Sequence, residues 1–266
     1  MRALTDVEEK RLAALTSHSV ELTLIEPTKT GLKKSILDAT MPVRQFLNDK
    51  LIHDYSIQEQ GQEYKVVRTC SLINEEQSTQ SKVSFYRPET KSGDPRIWFS
   101  GLPKISDPND LIAVVEHSGK LFAFNLTQVD IIDIVINKKN GPLWELIASI
   151  NDMSEEVSKE LLRKLQDISN RGFVKSDMAG RADTAIGRTL ESLLGIEINS
   201  SRNPDYRGIE LKSFRAQNKG RSTRKTLFAQ VPNWEISQFK SSREILENFG
   251  YERDGALKLY CTVSTQ

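Results

Sequence analysis

The sequence predicts a two-part protein mixing α/β and α+β architecture. A small, pseudobarrel-like β domain with one or two helices comes first, then a helical segment, then a domain of alternating helices and strands. Three observations carry this. Residues 64–137 are a series of short strand patterns separated by Gly, Pro, Asp, Asn or Ser. Residues 144–168 have helical periodicity with one apolar face, and 183–263 alternate helix and strand signals. At 266 residues the chain holds one large or two modest domains. The expected division is 1–150, a helical linker at 151–171, and 172–266.

Taken in order, residues 4–16 read as a short polar helix and His18–Glu26 alternates as a strand. Thr28–Ser35 lacks the second glycine and G-K-[ST] of a phosphate loop, so a basic loop leading into a helix is expected. That helix runs from about Leu32 into Leu51, with Pro42 starting a turn or kinking it. Strands follow at Tyr64–Ile73, Lys82–Arg87, Arg96–Leu102, Leu111–His117, Leu121–Leu126 and Val129–Ile136, with Ser118-Gly119 as a tight hairpin turn. Asn137–Pro142 breaks the β pattern. Trp144–Ile150 and Glu155–Ile168 read as helices, the second with Leu161, Leu162, Leu165 and Ile168 on one face; further on, Thr226–Val231 reads as a strand, Ser241–Asn248 as a helix and Leu257–Val263 as a core strand.

Composition excludes several classes. The chain is 38% hydrophobic and 27% charged, as in soluble globular proteins, and its net charge is only +1. No stretch approaches the ~18 apolar residues of a membrane span, and the N-terminus lacks a signal-peptide core, so a cytoplasmic protein without membrane contact is expected. Cys70 and Cys261 have neither zinc-ligand nor disulfide-framework spacing, and His18, His53 and His117 are scattered. The charge is unevenly spread, however. Residues 202–225 hold eight cations (Arg202, Arg207, Lys212, Arg215, Lys219, Arg221, Arg224 and Lys225) against two carboxylates, Asp205 and Glu210. Such a segment suits a phosphate backbone, though a solvated basic loop has the same composition.

The same region carries the chemistry. Asp205, Glu210 and Lys212 form a D-x4-E-x-K pattern. If Gly208–Lys212 is a strand, Ile209 and Leu211 face one way and Glu210 and Lys212 the other. Asp205, in the preceding N-P-D-Y-R-G turn, can reach the polar face. Two carboxylates then offer hard oxygen ligands for hydrated Mg²⁺, and a neighbouring lysine can orient water or hold developing negative charge. Upstream, Asp183 or Thr184 can cap a helix and Gly195 can end it, with Ile186, Leu190, Leu193 and Leu194 on its buried face. Glu191 lies at the edge of that stripe, about 60° from Leu194. D-x4-E-x-K alone also fits an exposed charged strand.

The longer context adds G-R-T-L-E-S-L-L-G-I (187–196), N-S-S-R-N-P-D-Y-R-G-I-E-L-K-S-F-R-A (199–216), T-L-F-A-Q-V-P-N-W (226–234) and L-Y-C-T-V-S-T (259–265). With these pieces residues 172–266 resemble the MvaI/BcnI family of restriction endonucleases, within the PD-(D/E)xK superfamily. The layout is shared with mismatch-repair nicking endonucleases of the MutH type. The resemblance implies an α/β nuclease core. In it Asp205 and Glu210 bind Mg²⁺ with the Leu211 carbonyl, Lys212 positions the attacking water, and Glu191 holds a water or second metal. It implies hydrolysis of double-stranded DNA at short C/G-rich sites such as CC(A/T)GG or CC(C/G)GG, leaving a 5′-phosphate. A monomer working beside a cognate DNA methyltransferase is expected. The resembled domains run past position 266, so this chain is expected to hold their N-terminal part. A DNA-binding protein with an incomplete nuclease domain, or a nicking repair enzyme, are the rival readings.

Ser84–Phe99 is the distinctive part of the first half. It sets Arg87, Lys91 and Arg96 around a Gly-Asp-Pro turn beside Tyr86, Trp98 and Phe99. Basic residues on a turn can hold phosphates while aromatics pack beneath or touch a base, although a hairpin with a solvated tip reads the same way. Strand count and this loop resemble the pseudobarrel DNA-binding domains of B3 type, such as the effector domain of EcoRII-like enzymes. From charge and position, Arg87, Lys91 and Arg96 are expected to contact DNA in the first half, and Arg207, Arg215, Lys219, Arg221 and Arg224 in the second.

Overall fold

The short apolar runs of the first half assemble into one seven-stranded mixed sheet. Its strands are β1 (Leu22–Ile25), β2 (Leu37–Asp38), β3 (Val66–Ile73), β4 (Ser78–Tyr86), β5 (Arg96–Phe99), β6 (Ile112–His117) and β7 (Lys120–Asn125). Their spatial order is β1-β6-β7-β3-β4-β5-β2; only β3 and β7 pair in parallel. The structure, a computed structural model, describes residues 1–176, 184–196, 204–214, 234, 237–253 and 255–259. Every strand contributes to one apolar cluster, through Ile25, Leu37, Leu72, Phe85, Phe99, Val114 and Ala123 in strand order. A flat sheet cannot bring both of its edges, β1 and β2, to one cluster, so this sheet curls around its interior. Phe85 and Phe99 are fully buried there, each worth about 1.5–3 kcal/mol of transfer free energy.

Helices cover the rest. Helix α1 (Asp6–Thr16) starts in a capping box: the Thr5 hydroxyl accepts from Glu8 N–H, and the Glu8 carboxylate accepts from Thr5 N–H. Helix α3 (Met41–Asp49) inserts Val43 and Leu47 into the interior of the curl. On the convex side, Ile73, Ala113, Val115 and Phe124 meet Leu15 of α1, Ile131 and Ile134 of α4 (Ile131–Asn137), and Leu143, Leu146 and Ile147 of α5 (Pro142–Asn170). Strand β6 is therefore buried on both faces, with Ile112 to Val115 all at 0% exposure.

Several elements differ from the sequence expectation. The helix expected over Leu32–Leu51 is two helices with a strand between them. Helix α2 (Lys29–Lys34) ends at Ser35, which is left-handed (φ 58°), Leu37–Asp38 then pairs with β5, and Pro42 sits in the first turn of α3. Val129–Ile136 is not a strand. The Asp130 carboxylate accepts from Asp133 N–H and starts α4, which buries Ile131 and Ile134 one turn apart. A short apolar run does not distinguish the two periods, and the cap decides. Trp144–Ile150 and Glu155–Ile168 form a single 29-residue helix, because the intervening N-D-M-S has no Gly or Pro to break it. At about 1.5 Å per residue α5 is roughly 43 Å long. The Ser118-Gly119 hairpin is as expected, with both residues left-handed (φ 52° and 76°) as a type I′ turn requires.

The chain divides into two compact units, Met1–Leu211 and Lys212–Gln266. The linker expected at 151–171 lies within α5 but for its last residue. In the second unit, α7 (Ser242–Phe249) is capped by the Ser241 hydroxyl, close to the helix expected at 241–248. An antiparallel hairpin follows, β8 (Tyr251–Arg253) with β9 (Ala256–Lys258). The strand expected at 226–231 and the end of that expected at 257–263 lie outside the described residues, as does Cys261. Burial pushes the Cys70 thiol up to about 11, so it is an inert core residue. Among the described residues no helix is long and apolar enough to cross a membrane.

Candidate functional site

The D-Y-R-G-I-E segment closes on itself. Tyr206 N–H donates to Ile209 C=O and Ile209 N–H to Tyr206 C=O, both at 2.9 Å. Arg207 and Gly208 form the two-residue loop between them, both left-handed (φ 44° and 96°). Left-handed backbone is free for glycine but costs arginine about 1–2 kcal/mol. Glycine supplies one of the two positions and neighbouring contacts must hold the other. The strand expected at Gly208–Lys212 is thus only the return arm of this small hairpin, and 210–214 form no ladder. Its alternation is nevertheless kept in the burial. Tyr206 is buried, Ile209 and Leu211 pack beside it, and Glu210 and Lys212 are exposed.

With Tyr206 bridged to Ile209, Asp205 and Glu210 are the next residues along the two arms. Asp205 Oδ2 also accepts from Leu211 N–H at 2.8 Å, tying the first arm to the second beyond the turn. Asp205, Glu210 and the Leu211 peptide therefore belong to one short loop of chain. A carboxylate has roughly four lone-pair sites, so one amide donor leaves Asp205 capacity for a further partner.

The hairpin rests on helices. Val157 and Leu161 of α5, Leu194 of α6 (Ala185–Leu194) and Tyr206 form a buried cluster joined by Leu190, Ile209 and Leu211. Glu191 is half-buried on α6, between two residues of that cluster. Gly195 ends α6 in a left-handed turn, as expected, but Thr184 makes no side-chain cap bond and Asp183 is outside the described residues. A connection absent from the sequence reading runs through Glu160 of α5. Its carboxylate accepts from the Tyr206 hydroxyl (2.7 Å), from Arg207 Nη1 (2.8 Å) and from Lys164 Nζ (3.1 Å). Lys164 Nζ also lies 5.0 Å from the centre of the Tyr206 ring. Tyr206 first, then Lys164, hold the Glu160 carboxyl below the usual carboxylate range. Only the Glu160–Lys164 spacing, i to i+4, was a signal in the sequence.

Two of the first-half cations have partners within the fold. Arg87 is used within its own loop, donating to Gly93 C=O and Gln58 C=O at 2.8 Å each. Arg96 pairs with Asp38 across the β5–β2 edge, and Lys91 is exposed. Phe99 is a core residue, Trp98 packs against the core, and Lys65 lies over the Tyr86 ring. Arg96 and Arg207, predicted for separate halves, line one cleft of about 1570 Å³ inside the first unit. Its walls are the outer edges of β1 and β2, Met153 and Val157 of α5, and the hairpin. Arg215, Lys219, Arg221 and Arg224 lie outside the described residues.

Among the described residues no group of three or more His, Cys, Asp or Glu side chains is placed to hold a metal ion. The hairpin offers a different donor set: two carboxylates and a backbone carbonyl. Mg²⁺ commonly binds through one or two carboxylates while keeping several waters, so these residues fit it better than Zn²⁺ or Ca²⁺.

Fold and site together describe a curled mixed sheet joined, through one long helix, to a carboxylate-bearing hairpin. A model of the MvaI/BcnI restriction endonuclease family matches residues 162–266, which takes in α6, the hairpin and the second unit. No curated protein matches the chain, and no solved structure does.

Proposed function

We propose that this chain is a divalent-metal-dependent endonuclease acting on double-stranded DNA. The observation that carries the proposal is the hairpin in which Asp205 Oδ2 accepts from Leu211 N–H and Asp205 and Glu210 flank the Tyr206–Ile209 bridge. The match to a restriction endonuclease family over the same residues supports it. In this reading Asp205, Glu210 and the Leu211 carbonyl hold Mg²⁺, which when bound polarises the phosphate and lowers the pKa of a water. Lys212 orients the attacking water, and Glu191 holds a further water. Hydrolysis leaves a 5′-phosphate at a short C/G-rich site. The curled sheet of residues 1–150 is a B3-like DNA-binding domain, with Lys91 and Arg96 toward the phosphates.

The test is digestion of supercoiled plasmid with Mg²⁺ and, in parallel, with EDTA. Discrete fragments only with Mg²⁺ are expected. No cutting, with the same DNA still retarded on a gel, would replace the nuclease reading with that of a DNA-binding protein.

Binding should also be steeply salt-dependent. If six of the eight cations in 202–225 meet phosphates, log K against log [salt] falls with a slope of about −5, at roughly −0.9 per contact. Fluorescence anisotropy from 50 to 200 mM salt measures it, and a flat response would remove the basic segment from the interface.

A further inference from the structure

We infer that Glu160 is a positioning residue for the metal-binding hairpin, acting through Tyr206 and Arg207 on the conformation of Asp205. The inference rests on the proposed function and adds a residue outside the family match, which begins at 162.

The hairpin is small and turns on two left-handed residues. Two mutual backbone bonds and one carboxylate–amide bond close it. Such a small loop does not hold a unique shape in water by itself. One of its two turn residues, moreover, is an arginine in left-handed backbone. Glu160 supplies what is missing. One carboxylate oxygen accepts from Tyr206, the residue directly after Asp205, and the other takes the guanidinium of Arg207, the strained residue itself. Both partners are thereby fixed to α5, whose Val157 and Leu161 already pack beneath Tyr206. Because side chains alternate along the arm, Tyr206 points into this anchor while Asp205 faces the other way. Anchoring one face sets the direction of the other. Groups that orient metal ligands typically change metal affinity 10–100-fold when removed.

Direct Mn²⁺ binding, followed by loss of the free-ion EPR signal, tests this without DNA or turnover. Wild type should bind Mn²⁺ and Asp205→Asn should not. Glu160→Ala should weaken binding about 10-fold, while Glu160→Gln, which keeps an acceptor for Tyr206, should weaken it about 3-fold. Tyr206→Phe provides a second route should Glu160→Ala misfold: the packing stays, the hydroxyl goes, and a shift of about 3-fold is expected. In cleavage assays the Mg²⁺ concentration for half-maximal rate should rise in the same order, with the rate at saturating Mg²⁺ within about 3-fold of wild type. A merely structural role would lower the amount of active protein and leave that midpoint unmoved. Binding by Glu160→Ala and Tyr206→Phe equal to wild type would overturn the inference alone. Wild type without Asp205-dependent Mn²⁺ binding would overturn the site reading, and the inference with it.

Discussion

Replacing Asp205 with alanine is expected to reduce Mg²⁺-dependent cleavage at least 10³-fold, equivalent to about 4 kcal/mol or more of transition-state stabilisation. Alanine removes two things together: a charged oxygen ligand and the acceptor for Leu211 N–H. Asparagine separates them. Its amide oxygen still accepts from Leu211, so the hairpin keeps its closing bond, while the negative charge that holds a divalent cation is gone. Both variants should be inactive, and Asp205→Asn should keep the wild-type near-ultraviolet circular dichroism and DNA affinity in EDTA. Glu210→Gln should behave likewise, since in the proposed site the two carboxylates hold one metal and losses within a unit are not additive. Single-turnover cleavage with the DNA labelled at both strands is the measurement. Cleavage by Asp205→Asn within 10-fold of wild type would overturn the site.

Much of this arrangement was legible in the residues. The D-x4-E-x-K spacing, the periodicity and Gly195 stop of α6, and the alternation of Ile209 and Leu211 against Glu210 all depend on neighbours within about ten positions, where local rules apply. The mistakes share a cause. The 129–136 run, which ends in I-I-D-I-V-I, is apolar enough for either period, and only the Asp130 cap and burial against Leu143 and Ile147 make it a helix. The Gly208–Lys212 segment keeps the alternation of a strand, but within it only Ile209 is paired, with Tyr206 just before the turn, and no sheet receives it. Contacts over long separations left almost no trace. Glu160 and Tyr206 are 46 residues apart, and Arg87 reaches Gln58 C=O 29 residues back. Their side chains are ordinary surface types until the fold sets them together. Arg87 is such a residue, its guanidinium donating to Gly93 C=O and Gln58 C=O. A guanidinium used to fasten its own loop is a poorer phosphate ligand than one that ends in solvent.

Glu8 carries the second large effect. Its side chain is 2% exposed and its carboxylate holds Arg2 through both oxygens, at 2.7 and 2.5 Å. Thr127 Oγ1 donates to it at 2.6 Å and Thr5 N–H at 2.9 Å, and Arg2 Nε reaches Asn109 C=O at 2.9 Å. The group ties the start of α1 to the open end of the β6–β7 hairpin, where the chain enters and leaves it. Glu8→Ala strips Arg2, Thr127 and Thr5 of their shared acceptor, but Arg2 is 29% exposed and can rehydrate, so the change should cost about 3 kcal/mol. At roughly 2–4 °C per kcal/mol for a unit of this size, melting should fall by about 10 °C. The sign of the pH effect follows from the cause. The Arg2 guanidinium, with help from Thr127 and Thr5, holds the Glu8 carboxyl well below the usual carboxylate range. Its contribution is therefore complete above the unfolded value of about 4.3 and drains away as pH falls toward the folded value. Urea unfolding at pH 7 and pH 3 should show wild type losing stability between the two, and Glu8→Gln losing clearly less because it has no such proton to take up. Arg2→Met should destabilise more than the Arg2→Met/Glu8→Leu pair, since the double change leaves no buried charge behind. Equal acid sensitivity in wild type and Glu8→Gln would mean that other carboxylates set the acid limit and that this buried pair is only one contact among many.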